Sequence, residues 1–119
     1  MATIVTDQMI EDFQRDGAVL VKGLWKDWVE PLRVGIERNM TEPGPYGAEN
    51  LKPGEGGRFF DDYCNWDRIP EFERVIRQSE VADVAAKLMQ SQRVQLFHDH
   101  VLVKEPGTSK PTPWHQDGP

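Results

Sequence analysis

The sequence predicts an α+β fold, in which helices pack against an antiparallel sheet. Segments with helical periodicity come first along the chain, and segments with strand character come last. This order is typical of folds that separate helices and strands into layers. The strands are few, and a small sheet with open edges is a poor independent unit. We therefore expect the domain to continue beyond Pro119.

Composition limits the class of protein. The chain has 119 residues, of which 38% are hydrophobic and 29% are charged. This is the balance of one globular domain that is neither disordered nor embedded in a membrane. The net charge of −6 argues against a nucleic-acid partner, because a phosphate backbone requires a basic surface.

The single cysteine, Cys64, excludes an internal disulfide. The first residues lack the basic start and long apolar stretch of a secretory signal. Together these features predict a reducing, cytoplasmic location. We expect Cys64 to be a small apolar filler beside Tyr63 and Trp66 rather than a reactive thiol.

The N-terminal part predicts a helix and a strand. A helix from Thr6 to Asp16 would be capped by the Thr6 hydroxyl and ended by Gly17. Ala18 to Val21 reads as a short buried strand.

A second helix is predicted from Asp27 to Met40. Asp27 and Glu30 have capping-box spacing, and Pro31 falls in the first turn. The segment from Thr41 to Gly57 is rich in glycine and proline, and we expect it to hold no regular element. A loop of this length is often a functional lid or a disordered stretch, and composition does not decide between them.

The C-terminal part predicts two helices and then strands. The helices run from Pro70 to Gln78 and, capped by Ser79, on to Gln90. Val94 to Lys104 is the clearest strand, and Trp114 to Asp117 reads as the start of another.

His115 and Asp117 carry the candidate chemistry. Residues two apart on a strand project from the same face. An imidazole and a carboxylate on one face form two thirds of a facial triad for iron(II). The spacing alone is a weak signal, because short motifs of this kind are permissive.

His98 and His100 offer an alternative metal pair. Both would project from one face of the predicted strand, together with Lys104. A His-x-His pair is a cupin-like ligand arrangement. A strand histidine that is hydrogen-bonded to a neighbour is the simpler interpretation of His98.

Three segments resemble the phytanoyl-CoA dioxygenase (PhyH) family. They are Val101 to Thr108, Thr112 to Asp117 and, more weakly, Phe13 to Val21. The resemblance implies a double-stranded β-helix, or jelly roll, and an iron(II)- and 2-oxoglutarate-dependent hydroxylase of a small organic substrate. It matches His115 and Asp117 to the first two iron ligands.

The same resemblance implies further site residues. His100 matches a position that contacts the 2-oxoglutarate co-substrate, and Arg58 is a looser match to a basic contact. Trp114, before the ligand histidine, is expected to pack beside the site.

The sequence departs from the family pattern downstream of Asp117. Family members have a distal histidine, which completes the triad, and an arginine, which binds the far carboxylate of 2-oxoglutarate. We therefore expect residues 1–119 to be the N-terminal portion of a single domain that binds iron weakly and does not turn over. The alternative is a non-catalytic interaction or regulatory remnant of the same fold. The oligomeric state is left open.

Overall fold

A computed structural model describes residues 4–117 as helices combined with a small antiparallel sheet. The helices are α1 (Asp7–Asp16), α2 (Val29–Thr41), α3 (Pro70–Gln78) and α4 (Val81–Leu88), and the strands are β1 (Ala48–Glu49), β2 (Phe59–Tyr63) and β3 (His100–Lys104). This mixture agrees with the predicted α+β class. Within this part of the chain, none of the helices has both the length and the apolar character that crossing a membrane requires.

Helix α1 forms as predicted. The Thr6 hydroxyl accepts a hydrogen bond from the Met9 amide at 3.2 Å, and Gly17 ends the helix in a left-handed conformation with φ of 74°. The apolar face of α1 packs on a cluster formed by Val5, Val84 and Leu88. Helix α1 thus packs against α4, although the two helices are far apart in sequence.

The predicted strand from Ala18 to Val21 is wrong. These residues lie outside the three-stranded sheet of the described chain and have no ladder partner there. Val19 and Val21 instead pack on the α1–α4 cluster beside Leu24. An apolar run buries its side chains in either case, so composition alone could not show whether a neighbouring strand was available.

Helix α2 begins later than predicted. A 3₁₀ turn covers Lys26–Trp28, and Trp28 precedes α2 without a capping side chain. The predicted capping box of Asp27 and Glu30 is therefore wrong, and Glu30 pairs with Arg33 instead. Pro31 lies in the first turn, as expected.

Helix α3 has the predicted bounds, whereas α4 is shorter than predicted. Glu80 takes the N-cap position of α4, and the Ser79 hydroxyl accepts only a long hydrogen bond of 3.4 Å from the Val81 amide. Helices α2 and α3 are joined at the surface, where the Arg38 guanidinium pairs with the Glu71 carboxylate at 2.8 Å.

The sheet has the order β1-β2-β3, with both pairings antiparallel. Strand β1 lies inside the Thr41–Gly57 segment, so the expectation of no regular element there is wrong. The predicted strand from Val94 is confined to its last five residues, which form β3. Trp114 to Asp117 does not form a strand. These three strand predictions failed for one reason: a strand forms only where another strand pairs with it, and the local sequence does not show that partner.

A buried polar network fixes β2 to the helical layer. Asp62, Asn39 and Asn65 are all fully buried. One oxygen of the Asp62 carboxylate accepts hydrogen bonds from the Asn39 side-chain amide at 2.8 Å and from the Gly44 amide at 2.7 Å. Its other oxygen accepts from the Tyr63 amide at 2.9 Å. The network therefore sets the position of β2 relative to α2.

Two glycines allow the loop before β2 to cross the turn after β3. Gly57 has φ of 79° and Gly107 has φ of 96°. A Cβ atom on Gly57 would lie 2.5 Å from the Thr108 amide nitrogen, a distance that real Cβ atoms do not adopt. We call this crossing the glycine clasp. The clasp places Gly57 against Gly107 and Thr108, where the segment that leads to His115 begins.

Replacing Gly35 by alanine should destabilise the α2–α3 contact. Its Cβ atom would lie 2.7 Å from Cε1 of the buried Phe72 ring. Overpacking costs about 1–3 kcal/mol, which outweighs a gain of about 1 kcal/mol in helix propensity. We expect Gly35→Ala to lower the unfolding free energy in a urea titration by about 1–2 kcal/mol. Val34→Ala, at an exposed neighbour, should change it by less than about 0.5 kcal/mol; equal effects would contradict the packing argument.

Candidate metal centre

The two faces of β3 are unequally covered. His100, Leu102 and Lys104 are exposed, whereas Val101 and Val103 are half-buried. Val101 pairs with Asp62, whose carboxylate reaches α2, so this second face looks towards the helices. The face with His100 is the open one.

An open cleft of about 690 Å³ lies against the exposed face of β3. It brings together three of the four predicted site residues, His100, His115 and Asp117. The remaining lining comes from β2, from β3, from the residue after β1 and from the segment before His115: Asn50, Phe59, Asp61, Leu102, Lys110, Pro111, Thr112 and Pro113.

His115 and Asp117 converge although they do not lie on a strand. The Nε2 atom of His115 is 3.2 Å from an oxygen of Asp117. The Nδ1 atom of His115 lies 2.8 Å from the Pro113 carbonyl oxygen. A carbonyl can only accept, so Nδ1 carries the proton and Nε2 is the nitrogen that faces the carboxylate. The pKa of His115 is raised by this carbonyl and, secondly, by the negative charge of Asp117.

The donor set fits a divalent metal ion. At 3.2 Å, a protonated His115 can pair directly with the Asp117 carboxylate, and a neutral His115 can share a metal ion with it. Ligands at right angles around a metal with bonds of about 2.1 Å are separated by about 3.0 Å. The hydrogen bond from Nδ1 to a backbone carbonyl is the usual outer-shell support for a metal-binding histidine.

The described residues bring two candidate metal donors together and not three. Among residues 4–117, no group of three histidine, cysteine, aspartate or glutamate side chains is placed to hold a metal. His98 lies 6.3 Å from His100 between ring centroids and packs edge-on against Phe97 and Tyr63. This environment is that of a histidine within an aromatic cluster.

His100 is held by neighbours on β2. Its Nε2 atom lies 3.2 Å from an Asp61 carboxylate oxygen, and its ring lies edge-on to the ring of Tyr63, with 5.5 Å between centroids. The other Asp61 oxygen accepts a hydrogen bond from the Asn50 amide at 3.1 Å. Asp61 and Asn50 were not identified from sequence, because β2 was not predicted as a strand and Asn50 lies in the glycine- and proline-rich segment.

Arg58 does not join the cleft. Its guanidinium pairs with Glu49 at 2.6 Å and lies over the Phe60 ring at 5.3 Å. The hydrogen bonds that the Arg58 guanidinium donates to the Glu49 carboxylate raise the pKa of Arg58. Phe60 is on the helix-facing side of β2, so Arg58 lies on the opposite side from His100. Lys110 is the cation that lines the cleft, where it donates to the Asn50 carbonyl at 2.6 Å.

Two predicted side-chain environments are wrong. Trp114 is fully exposed rather than packed beside the site. Cys64 is exposed rather than a buried filler, since it occupies a left-handed turn position with φ of 62°.

A mixed helix and antiparallel-sheet fold with a His-x-Asp pair at an open cleft is typical of the non-haem iron dioxygenase class. The family model of phytanoyl-CoA dioxygenase (PhyH) matches residues 13–119. The chain belongs to this family. Neither a curated protein nor a solved structure matches the chain significantly. The family consists in general of oxidoreductases of the iron and 2-oxoglutarate dioxygenase type.

Proposed function

We propose that this chain carries the iron-binding His-x-Asp pair of an iron(II)- and 2-oxoglutarate-dependent dioxygenase that hydroxylates a small organic substrate. The observation that carries the proposal is the convergence of His115 and Asp117, with donors 3.2 Å apart, in the cleft that also holds His100. Family membership supports the reaction type.

Each ligand has a distinct role in this proposal. His115 offers the Nε2 lone pair, because the Pro113 carbonyl holds the ring by its Nδ1 proton. Asp117 supplies negative charge, which reduces the net charge of a bound ferrous ion. When bound, iron(II) with 2-oxoglutarate and oxygen supplies the oxidising power that hydroxylates a C–H bond.

Of the two co-substrate contacts expected from sequence, His100 has the supporting geometry. It lies on the open face of β3 and lines the same cleft as the ligand pair. Arg58 could reach a co-substrate only after losing both hydrogen bonds to Glu49. Lys110 places a positive charge at the cleft, which suits a dianionic co-substrate.

The rest of the centre lies outside the described residues in this proposal. A facial triad needs a third protein ligand, and residues 4–117 present two. We therefore propose that residues 1–119 are the N-terminal portion of a jelly-roll domain whose remaining strands pair with the sheet. The isolated chain would bind iron weakly and would not turn over.

The proposal is tested by measuring iron-dependent succinate formation from 2-oxoglutarate. The assay should compare the 119-residue chain with any longer product of its gene, each with and without iron(II). We expect little succinate from the short chain and iron-dependent succinate from a product that supplies the third ligand. Iron-independent succinate, or equal formation after His115→Ala and Asp117→Ala, would refute the assignment and favour a non-catalytic remnant.

A further inference from the structure

His115 and His100, the two histidines of the cleft, are hydrogen-bonded through different ring nitrogens. In His115 the Nδ1 atom lies against a carbonyl oxygen at 2.8 Å, whereas in His100 the Nε2 atom lies against the Asp61 carboxylate at 3.2 Å. Both partners are acceptors, so the ring proton lies on Nδ1 in His115 and on Nε2 in His100. The nitrogen left for a ligand is therefore Nε2 in His115 and Nδ1 in His100.

Asp61 is itself held in place. The Asn50 amide donates to Oδ1 of Asp61 at 3.1 Å and to the Phe59 carbonyl at 3.2 Å, which leaves Oδ2 for His100. The Asn50 backbone carbonyl in turn accepts from the Lys110 ammonium at 2.6 Å. A continuous series of hydrogen bonds thus runs along the cleft wall from Lys110 to His100.

We propose that Asp61 is a positioning residue for His100, which keeps the imidazole proton on Nε2 and presents Nδ1 to the ligand. The identity of that ligand as 2-oxoglutarate rests on the proposed function, whereas the control of the ring by Asp61 does not. A neutral ring in this form accepts a hydrogen bond at Nδ1. A carboxylate that meets Nδ1 must be accompanied by a second proton on the ring.

The substitution Asp61→Asn reverses the proton position in His100. The Asn50 amide can only donate, so the new side chain turns its oxygen towards Asn50 and its amide towards His100. The Nε2 atom must then accept, and the proton moves to Nδ1. Exchange of a carboxylate for an amide beside a histidine inverts the tautomer in this way. Asp67→Asn, at an exposed position on the turn before α3, is the matched control.

The test is nitrogen-15 NMR of the imidazole rings in the 119-residue chain at alkaline pH, where imidazoles are neutral. The chain has three histidines, so single His→Gln variants assign the signals. We expect about a tenfold or larger excess of the Nε2–H form of His100 in the unsubstituted chain and in Asp67→Asn. We expect the Nδ1–H form in Asp61→Asn. An Nδ1–H ring in the unsubstituted chain would overturn the proposal without any variant, as would an Asp61→Asn ring that keeps its Nε2 proton.

Addition of 2-oxoglutarate near neutral pH, to a longer product of the gene that binds this co-substrate, separates this proposal from the proposed function. Conversion of His100 to the doubly protonated pattern would support the co-substrate contact. If the His100 signals do not respond while the tautomers still differ between the unsubstituted chain and Asp61→Asn, the positioning role of Asp61 stands. The co-substrate role of His100 would then be refuted.

Discussion

Replacing Asp62 by alanine is expected to lower the unfolding free energy by about 3 kcal/mol or more. The substitution leaves the amide of the buried Asn39 and the backbone amide of Gly44 without their acceptor. Each buried donor that loses its partner costs about 1–3 kcal/mol. Urea unfolding followed by circular dichroism measures the difference. Asp67→Ala, which removes an exposed carboxylate, should shift the midpoint little.

The Asp62 carboxylate should also make the unfolding free energy depend on pH in the acidic range. Burial raises the pKa of Asp62, but the hydrogen bonds from Gly44 and Asn39 outweigh it, so the pKa lies below the ordinary value. A lowered folded-state pKa means that the contribution is complete at neutral pH. The unfolded-state pKa of an aspartate is about 4. As pH falls below this value and then through the lower folded-state pKa, the stabilising contribution of Asp62 is lost.

Asp62→Asn tests this acid dependence. Its amide nitrogen would oppose two donors or force the side chain to turn, so the variant is destabilised at neutral pH. The difference from the unsubstituted chain should narrow as pH falls from about 5 to 3. A constant difference over this range would show that the Asp62 charge contributes nothing to stability.

His115→Ala and Asp117→Ala are expected to weaken iron(II) binding by more than about 100-fold, because loss of an outer-shell partner alone costs about 10- to 100-fold. Each variant removes one of the two donors that the described chain brings together at 3.2 Å. Anaerobic titration calorimetry in a product that completes the centre measures the affinity. Both side chains are exposed, so stability should change little.

His98→Ala is the control for the metal prediction. His98 shares the residue type and the neighbourhood of His100 but packs against Phe97. Its removal should leave iron affinity within about twofold, since residues that contact neither metal nor ligand have small effects. An effect as large as that of His115→Ala would instead support the His98–His100 pair as the metal site.

Local signals predicted the helices well. The Thr6 cap, the Gly17 stop and the full extent of α3 follow from residues within a few positions of one another. The strands were predicted poorly because pairing is decided by distant partners. Strand β2 carries Asp61 and Asp62 in its centre, and these residues are unfavourable in strands unless hydrogen bonds satisfy them.

Three of the residues that line the cleft were singled out from sequence, whereas the residues that hydrogen-bond to His100 were missed. His115, Asp117 and His100 came from a motif and a resemblance, and the structure brings all three to one cleft. Asp61 and Asn50 lie far from them in sequence, and only the β1-β2-β3 register brings them close. Arg58 came from a loose match to the family, and strand alternation and its pairing with Glu49 direct it away from the cleft.

Because of the glycine clasp, positions in the glycine- and proline-rich segment from Thr41 to Gly57 should differ in how well they tolerate substitution. In a library of random substitutions, variants at Gly57 should be depleted, because any side chain there meets the backbone of Thr108. The neighbouring Lys52 and Pro53 are exposed and should accept most residues. Lineages that share this crossing would therefore preserve glycine at positions 57 and 107, which lie far apart in sequence, while exposed loop positions such as 52 and 53 vary.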